Sequence, residues 1–407
     1  MKKEVKIAFK TLTPLWTGDA EGKSEKLKLT GIIGSLRWWF EALVRGMGYY
    51  ACDSTSDNKC KVEIKNPGDI GKIHEKMCPV CFLFGATGWK SRFSLNIEND
   101  NLKKPYDGKV VVKLNDGNGW HYEAGLMGDA TLIFQYDEFY LSKDLNEVFP
   151  SILKILLYLI QEYGMLGAKT SMGYGVARFK TADNELSIKD GNWKNFTNYL
   201  ALFDNKFNPE QINDTERKRK IENNLKNLPN LKDMFFVKFK IDGEFKEILE
   251  NIKQFYNPEN KISEDFNWLI TSPVVRKVIR KEIKSQFNSN NDLRHFLMGK
   301  VKGKNSTFSA IQVSHVYTNN KKFEFRIYGW LPDKKPIQGK VKDVLNLLSQ
   351  LFNDVPWKGI YDSRQKKKVS LLPSKVEDGV CWQNSNLKLL DSCKNVKNLF
   401  LQEGENQ

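Results

Sequence analysis

The sequence predicts an α+β chain of two ferredoxin-like, RRM-like domains, and three observations carry that prediction. The segments up to Phe179 run strand, helix, strands, helix, strand. A second strand-led series opens at Phe235. The 407 residues exceed what one core normally serves and suit two domains of roughly 200 residues each.

Val5 to Leu12 alternates apolar and basic residues and stops at Thr13-Pro14, the pattern of a half-buried strand followed by a break. A Gly-, Lys- and Glu-rich loop, Trp16 to Lys28, leads into TGIIGSLRWWFEALVRG, Thr30 to Gly46. On a helical period Ile32, Leu36, Trp39, Leu43 and Met47 form one stripe, widened by Phe40 and Val44, so this face should pack inward. Arg37, Glu41 and Arg45 share the other face at i, i+4 spacing, and Thr30 is the expected N-cap. Gly31 and Gly34 would let a phosphate or another backbone approach the first turn, and Arg37 adds a forked donor beside it. From this segment alone an ordinary packing helix with surface ion pairs is the stronger reading.

Cys52 to Cys81 is irregular and polar, as an insertion would be. Val110–Leu114 and Ala130–Tyr136 read as strands, Leu145–Tyr163 as a helix, and Gly175–Phe179 as the returning strand. The boundaries that follow are 1–182 for the first domain, with its Cys-rich insertion at about 52–81, 183–229 for a largely helical or extended connection, and 230–407 for a second domain with helical decorations. In the latter, Phe235–Ile241 is a strand, Glu244–Phe255 and Pro273–Gln286 are helices, and Val341–Phe352 is another. Thr307–Tyr317 and Lys322–Trp330 pair through a turn containing Asn319-Asn320. Lys- and Asn-rich stretches such as 288–305 read as solvated loops, with KVKGK, Lys300 to Lys304, as a possible phosphate-contacting loop.

Composition narrows the partner. Sixty-four Lys+Arg against 49 Asp+Glu give a net charge of +15, which favours a polyanion over an acidic small molecule but does not separate nucleic acid from an anionic membrane surface. The longest apolar candidate, Ile152–Ile160, is far short of a span and is broken by Lys154, and the basic start lacks a signal-peptide core. A soluble cytoplasmic protein is expected.

In that setting six cysteines are more readily metal ligands than a disulfide framework. Cys52, Cys60, Cys78 and Cys81 form C-x7-C-x17-C-x2-C, whose Cys78-Pro-Val-Cys81 knuckle has the spacing of a tetrahedral zinc site; His74 could replace an upstream cysteine. Reduced cysteines without metal are the alternative. A site closed by four thiolates would be structural, because it leaves no open position. Cys381 and Cys393 give no comparable signal.

Two further segments carry donors. LGAKTSMGYGVARF, Leu166 to Phe179, encloses Lys169, Thr170 and Ser171 between glycines 167, 173 and 175, suited to phosphate or ribose contact or simply to a turn. ATGWKSRF, Ala86 to Phe93, sets Lys90 and Arg92 beside Trp89 and Phe93, a mixture that supports base stacking or a surface turn. Histidines 74, 121, 295 and 315 lie in no recognisable acid–base motif, and Asp19 has neighbours that specify no reaction.

Taken together, TPLWTG (Thr13 to Gly18) with SLRWWFEALVRG, then CPVCFLFGATGWKSRF, then GAKTSMGYGVARF closely resemble RAMP-superfamily proteins, in particular the first subunit of type III-B (Cmr) CRISPR effector complexes. The resemblance lies within roughly the first 180 residues and is weak beyond them. It implies a two-lobed ferredoxin-like, noncatalytic RNA-binding subunit that sits at the end of the complex near the guide's 3′ region. There it would help capture target RNA for antiviral defence, with guide RNA, target RNA and other RAMP subunits as partners and no membrane. Carried onto this chain, it implies an RNA-facing cleft bordered by Gly31, Arg37, Arg45, Lys90, Arg92, Lys169, Thr170, Ser171 and Met172. Lys23, Lys26 and Lys28 join it through charge and proximity to the helix entrance. The alternative within the superfamily is a metal-independent guide-processing endoribonuclease, in which a histidine would activate the ribose 2′-OH.

Overall fold

The computed structural model describes residues 2–57, 59–112, 120–137, 147–181, 184–241, 268–287, 290–300, 307–319, 322–353, 360–362, 367–369, 374–375, 381–383 and 386–400. The helix expected at Glu244–Phe255, most of the KVKGK run and the tip of the Asn319-Asn320 turn lie outside them.

In the N-terminal half, β1 (Lys2–Thr11) leads through a loop into α1 (Leu29–Gly46), then come a short α2 (Pro79–Phe84), β2 (Phe93–Glu98), β3 (Asp129–Asp137), α3 (Val148–Glu162) and β4 (Ala177–Thr181), with a short β5 (Asn184–Glu185) at the edge. The strands are antiparallel and ordered β2-β3-β1-β4-β5. The four principal strands therefore take the 2-3-1-4 order of a ferredoxin-like sheet. Alternation explains why β1 lies as it does: Ile7, Phe9 and Thr11 are buried while Lys6, Ala8 and Lys10 are exposed.

Two expectations are corrected here. The second strand of the sheet is Phe93–Glu98, whose apolar Phe93, Leu95 and Ile97 alternate with polar residues and pair with β3. Val110, assigned from sequence to that sheet, instead pairs with Tyr122 in a separate ribbon of 109–112 with 120–123. Thr30 is not the N-cap of α1; Lys28 holds that position in extended conformation, and the helix starts at Leu29.

The connecting segment carries α4 (Asp190–Ala201), a one-turn α5 (Asp204–Phe207) and α6 (Thr215–Asn227). α6 begins at Asp214, whose carboxylate accepts the Glu216 and Arg217 N–H groups, a standard N-cap. In the C-terminal half, β6 (Met234–Ile241), β7 (Trp268–Leu269), α7 (Ser272–Gln286), α8 (Asn291–Met298), β8 (Ile311–Val313), β9 (Val316–Asn319), β10 (Lys322–Trp330), α9 (Val341–Asn353) and β11 (Ser374–Lys375) follow. Their sheet runs β11-β6-β10-β9-β7, with β8 also paired to β10. Four of these strands repeat the ferredoxin-like order, with β6, β9, β10 and β11 as strands one to four.

The halves share a core. Trp39 of α1, 1% exposed, lies 6.5 Å from Phe236 and 5.4 Å from Tyr328 by ring centroids, and its Nε1 donates to Met165 O at 3.0 Å. Gly164 turns the chain beneath that indole; a Cβ there would lie 2.4 Å from the Trp39 ring. Arg326 of β10, 3% exposed, donates to the carbonyls of Ile160, Gln161 and Gly164 at the C-terminus of α3. Those carbonyls sit at the negative end of the helix dipole, which a guanidinium complements, and Ile160 O also accepts the Tyr163 and Gly164 N–H groups. Lys238 adds an ion pair to Glu162 at 3.0 Å.

Candidate nucleic-acid interface and metal centre

Helix α1 organises two adjoining places. Its N-terminal turns meet the glycine loop: Ser35 Oγ accepts the Gly167 N–H at 3.1 Å, and Trp16 O accepts the Ala168 N–H at 2.8 Å. The loop after β1 closes the third side, with Thr17 Oγ1 accepting the Lys28 N–H at 2.9 Å. Three segments distant in sequence thus converge around the start of one helix. That start has no side-chain cap and no acidic residue in its first turn, while Lys26, Lys28 and Thr30 around it are exposed. The positive end of the helix dipole and the lysines there make an electropositive terminus, while the Gly31 N–H donates to Lys28 O at 2.9 Å. Lys23 is also exposed but pairs with Glu21 at 3.1 Å. Gly31 packs on Thr17, where a Cβ would come within 3.2 Å.

The glycine loop contributes less free charge than its sequence suggests. Lys169 sits in the left-handed region at φ 57°, its Nζ 3.1 Å from the centre of the Trp16 ring and 3.4 Å from Glu123. Burial lowers its pKa against the pull of Glu123. Thr170 Oγ1 donates to Gln312 Oε1 at 3.1 Å, and the Met172 N–H donates to Lys169 O. Ser171 and Met172 are half-buried. Gly173, at φ +96°, faces His315, which is buried among the rings of Tyr122, Tyr174 and Trp268. Burial drives the His315 pKa down to about 3, so the ring is neutral; its Nδ1 accepts the Ser272 N–H at 3.3 Å.

The other face of α1 meets the cysteine knuckle. Cys52, Cys60, Cys78 and Cys81 place all four sulfurs within 4.8 Å of one another, with Cys52–Cys81 at 3.3 Å and Cys52–Cys78 at 3.9 Å. Four sulfurs about 2.3 Å from a tetrahedral zinc stand roughly 3.8 Å apart, so the donor set fits such an ion. Hydrogen bonds from Cys60, Cys78 and Cys81 hold the Cys52 thiol far below its usual range, while burial pushes the Cys78 thiol up. His74 is not in the group and lies edge-on to Phe203. Its expected substitution for a cysteine is not needed, because four thiols already complete the set.

Arg37 and Arg45, expected at an RNA-facing cleft, turn toward this centre, Arg37 half-buried and Arg45 buried. Arg37 donates to Cys81 Sγ at 3.1 Å, Gly85 O at 3.0 Å and Glu41 at 3.0 Å. Arg45 is 2% exposed and donates to the carbonyls of Ala51, Cys52 and Pro229, with Glu41 3.6 Å away. Burial lowers the Arg45 pKa and raises that of Glu41. For Arg37 burial is outweighed by the Cys81 sulfur and Glu41, and its pKa rises. A knuckle loop with buried carbonyls needs such donors, and i, i+4 spacing on α1 delivers them in one row. Beyond the knuckle Lys90 is exposed, and the Arg92 guanidinium lies 3.7 Å from the Trp89 ring centre.

Asp19 accepts the Glu21 and Lys23 N–H groups and so closes its own loop turn. No helix among the described residues is long and apolar enough to cross a membrane.

Residues 8–178 match the RAMP superfamily. Among solved structures the chain is similar to Cmr1 from Pyrococcus furiosus in its apo form, at 14% identity over 82% of this chain and 89% of that one, with a TM-score of 0.37. It is also similar to chains of type III-B Cmr-beta bound to cognate target RNA. One of these, with AMPPnP and ssDNA present, has 14% identity, covers 80% of this chain and 93% of that one, and has a TM-score of 0.37. The other has 15% identity, covers 81% and 94%, and has a TM-score of 0.36. No curated protein matches the sequence.

Proposed function

We propose, for a chain whose residues 8–178 match the RAMP superfamily, that it is a noncatalytic RNA-binding subunit of a type III-B CRISPR RNA-guided effector. Its place there is the end near the guide's 3′ region, where it helps capture target RNA. The reading rests on the resemblance of the Thr13–Gly18, Ser35–Gly46, Cys78–Phe93 and Gly167–Phe179 segments to the first subunit of that complex. The observation that supports RNA contact is the uncapped start of α1, ringed by Lys26 and Lys28 and joined to the glycine loop by the Ser35–Gly167 hydrogen bond. Backbone N–H groups and exposed lysines recognise a phosphate chain without regard to sequence.

In the same reading the four cysteines hold one structural zinc. Zinc supplies a rigid cross-link to a loop that has little core of its own, Cys52, Cys60, Cys78 and Cys81 being its ligands. Arg37 and Arg45 offset the charge of four thiolates beside α1.

Affinity purification from the native cell tests the assignment. Sibling RAMP subunits and a guide RNA should accompany the chain; recovery without either sinks it. Purified protein incubated with single-stranded RNA and no divalent metal should leave the strand intact, and cleavage abolished by changing one histidine would favour the endoribonuclease instead.

A further inference from the structure

Beside the glycine loop lies a cavity of about 120 Å³, roughly ten times the ~10–15 Å³ that one water needs. Its lining is aromatic and apolar: Trp38 of α1, Met234 of β6, Tyr328 and Trp330 of β10, and Phe308, with the Gln312 amide among them. The amide is already committed, its Oε1 to the Thr170 hydroxyl and its Nε2 to Ser309 O, so it ties the cavity to the glycine loop and leaves the walls apolar. Phe308 is 66% exposed, the most open large apolar side chain among those described. A bare phenyl ring at the edge of an aromatic cavity marks a recognition surface.

Cations adjoin it. Lys300 pairs with Thr307, the residue before Phe308, through its N–H to Thr307 Oγ1 at 3.0 Å and its carbonyl to the Thr307 N–H at 2.9 Å. α8 backs the cavity, since the Phe296 ring lies 6.1 Å from Trp330 and Phe296 O accepts the Ala310 N–H. That helix carries Arg294, whose Nε is buried with no hydrogen-bond partner among the described residues. Burial and then Arg294 depress the pKa of Arg280, so the two guanidinium groups repel each other. Arg280 spends its guanidinium on Met298 O and Gly299 O, at 3.0 and 2.8 Å, and Arg294 gives one donor to Asn291 Oδ1; Arg294 and Lys300 form no ion pair with a carboxylate among the described residues. An apolar peptide would need none of these charges, whereas a nucleotide needs both an aromatic wall and cations.

We propose that this cavity receives one unpaired nucleobase of a single-stranded RNA, and that Lys300 and Arg294 hold the adjoining phosphates. The inference rests on the RNA-binding reading and adds the place and manner in which a base is held. Unpaired bases offer a π-face of any identity, so the pocket selects single strands over duplex without selecting sequence.

The test uses the full chain and a short single-stranded RNA carrying 2-aminopurine, with the duplex form as comparison. Wild type should bind the single strand more tightly than the duplex and change the probe's fluorescence. Phe308→Ala, on the surface and so safe for folding, should weaken single-strand binding about tenfold and abolish the fluorescence change while keeping the salt dependence. Arg294→Ala should instead lower the slope of log affinity against log salt by about 0.7. A Phe308→Ala affinity within twofold of wild type, with the fluorescence change kept, overturns the pocket and leaves the RNA reading standing. Absence of RNA binding by wild type overturns both.

Discussion

The His315 imidazole fills the space that a side chain at residue 173 would occupy: a Cβ on Gly173 would lie 2.6 Å from the ring, and Gly173 O accepts the His315 N–H at 3.1 Å. The glycine loop of one half is therefore seated on a strand connection of the other. Gly173→Ala adds left-handed backbone strain and overpacking at once, and should lower stability by about 2–4 kcal/mol. Urea unfolding of variant and wild type checks this; a loss below ~1 kcal/mol contradicts the seating.

The same histidine makes stability depend on pH. It stays neutral to about pH 3 in the folded chain, whereas an unfolded histidine protonates near 6.5. Between those values the unfolded state binds the extra proton, so stability is full above about pH 6.5 and falls as pH drops toward 3. Carboxylates also titrate in this window, so the measurement is the difference between wild type and His315→Phe: wild type should lose stability more steeply. Parallel curves would show that His315 contributes no linkage.

Metal analysis should return one zinc per chain, and Cys78→Ser with Cys81→Ser should return none. Arg37→Ala removes the donor to Cys81 Sγ and should weaken metal retention against a competing chelator by about 10–100-fold, the range for partners of metal ligands. Retention equal to wild type would show that the Arg37 contact is incidental.

Two sets of cations should separate by behaviour. Arg45→Ala strips donors from three buried carbonyls and should cost about 2–4 kcal/mol of stability. Changing exposed Lys26 and Lys28 to Ala should leave the unfolding midpoint nearly unchanged and reduce the salt slope of single-strand RNA binding by about 1.4. Equal slopes for wild type and the double variant would remove the helix start from the binding face.

What could be read from sequence follows the range of the interactions. The apolar stripe of α1, the order of the major strands and the gathering of four cysteines rest on local period and spacing, and the structure contains each of them. Arg45 misled because Glu41 at i−4 resembles a surface pair, while one of its acceptors, Pro229 O, lies 184 residues away. β2 was legible in the alternation of Phe93, Leu95 and Ile97, but Phe93 had been read as the end of an aromatic–cationic loop. The cavity had no local signature, since Trp38, Phe308 and Trp330 meet only after both halves fold.

Arg326 sets a limit on motion. Its guanidinium spans from a strand of one half to the last carbonyls of a helix in the other. Prising the halves apart would take three acceptors from a buried cation and leave it only the Tyr317 hydroxyl. The two halves are thus clasped together, so a partner laid across both would meet one stiff surface rather than two hinged ones.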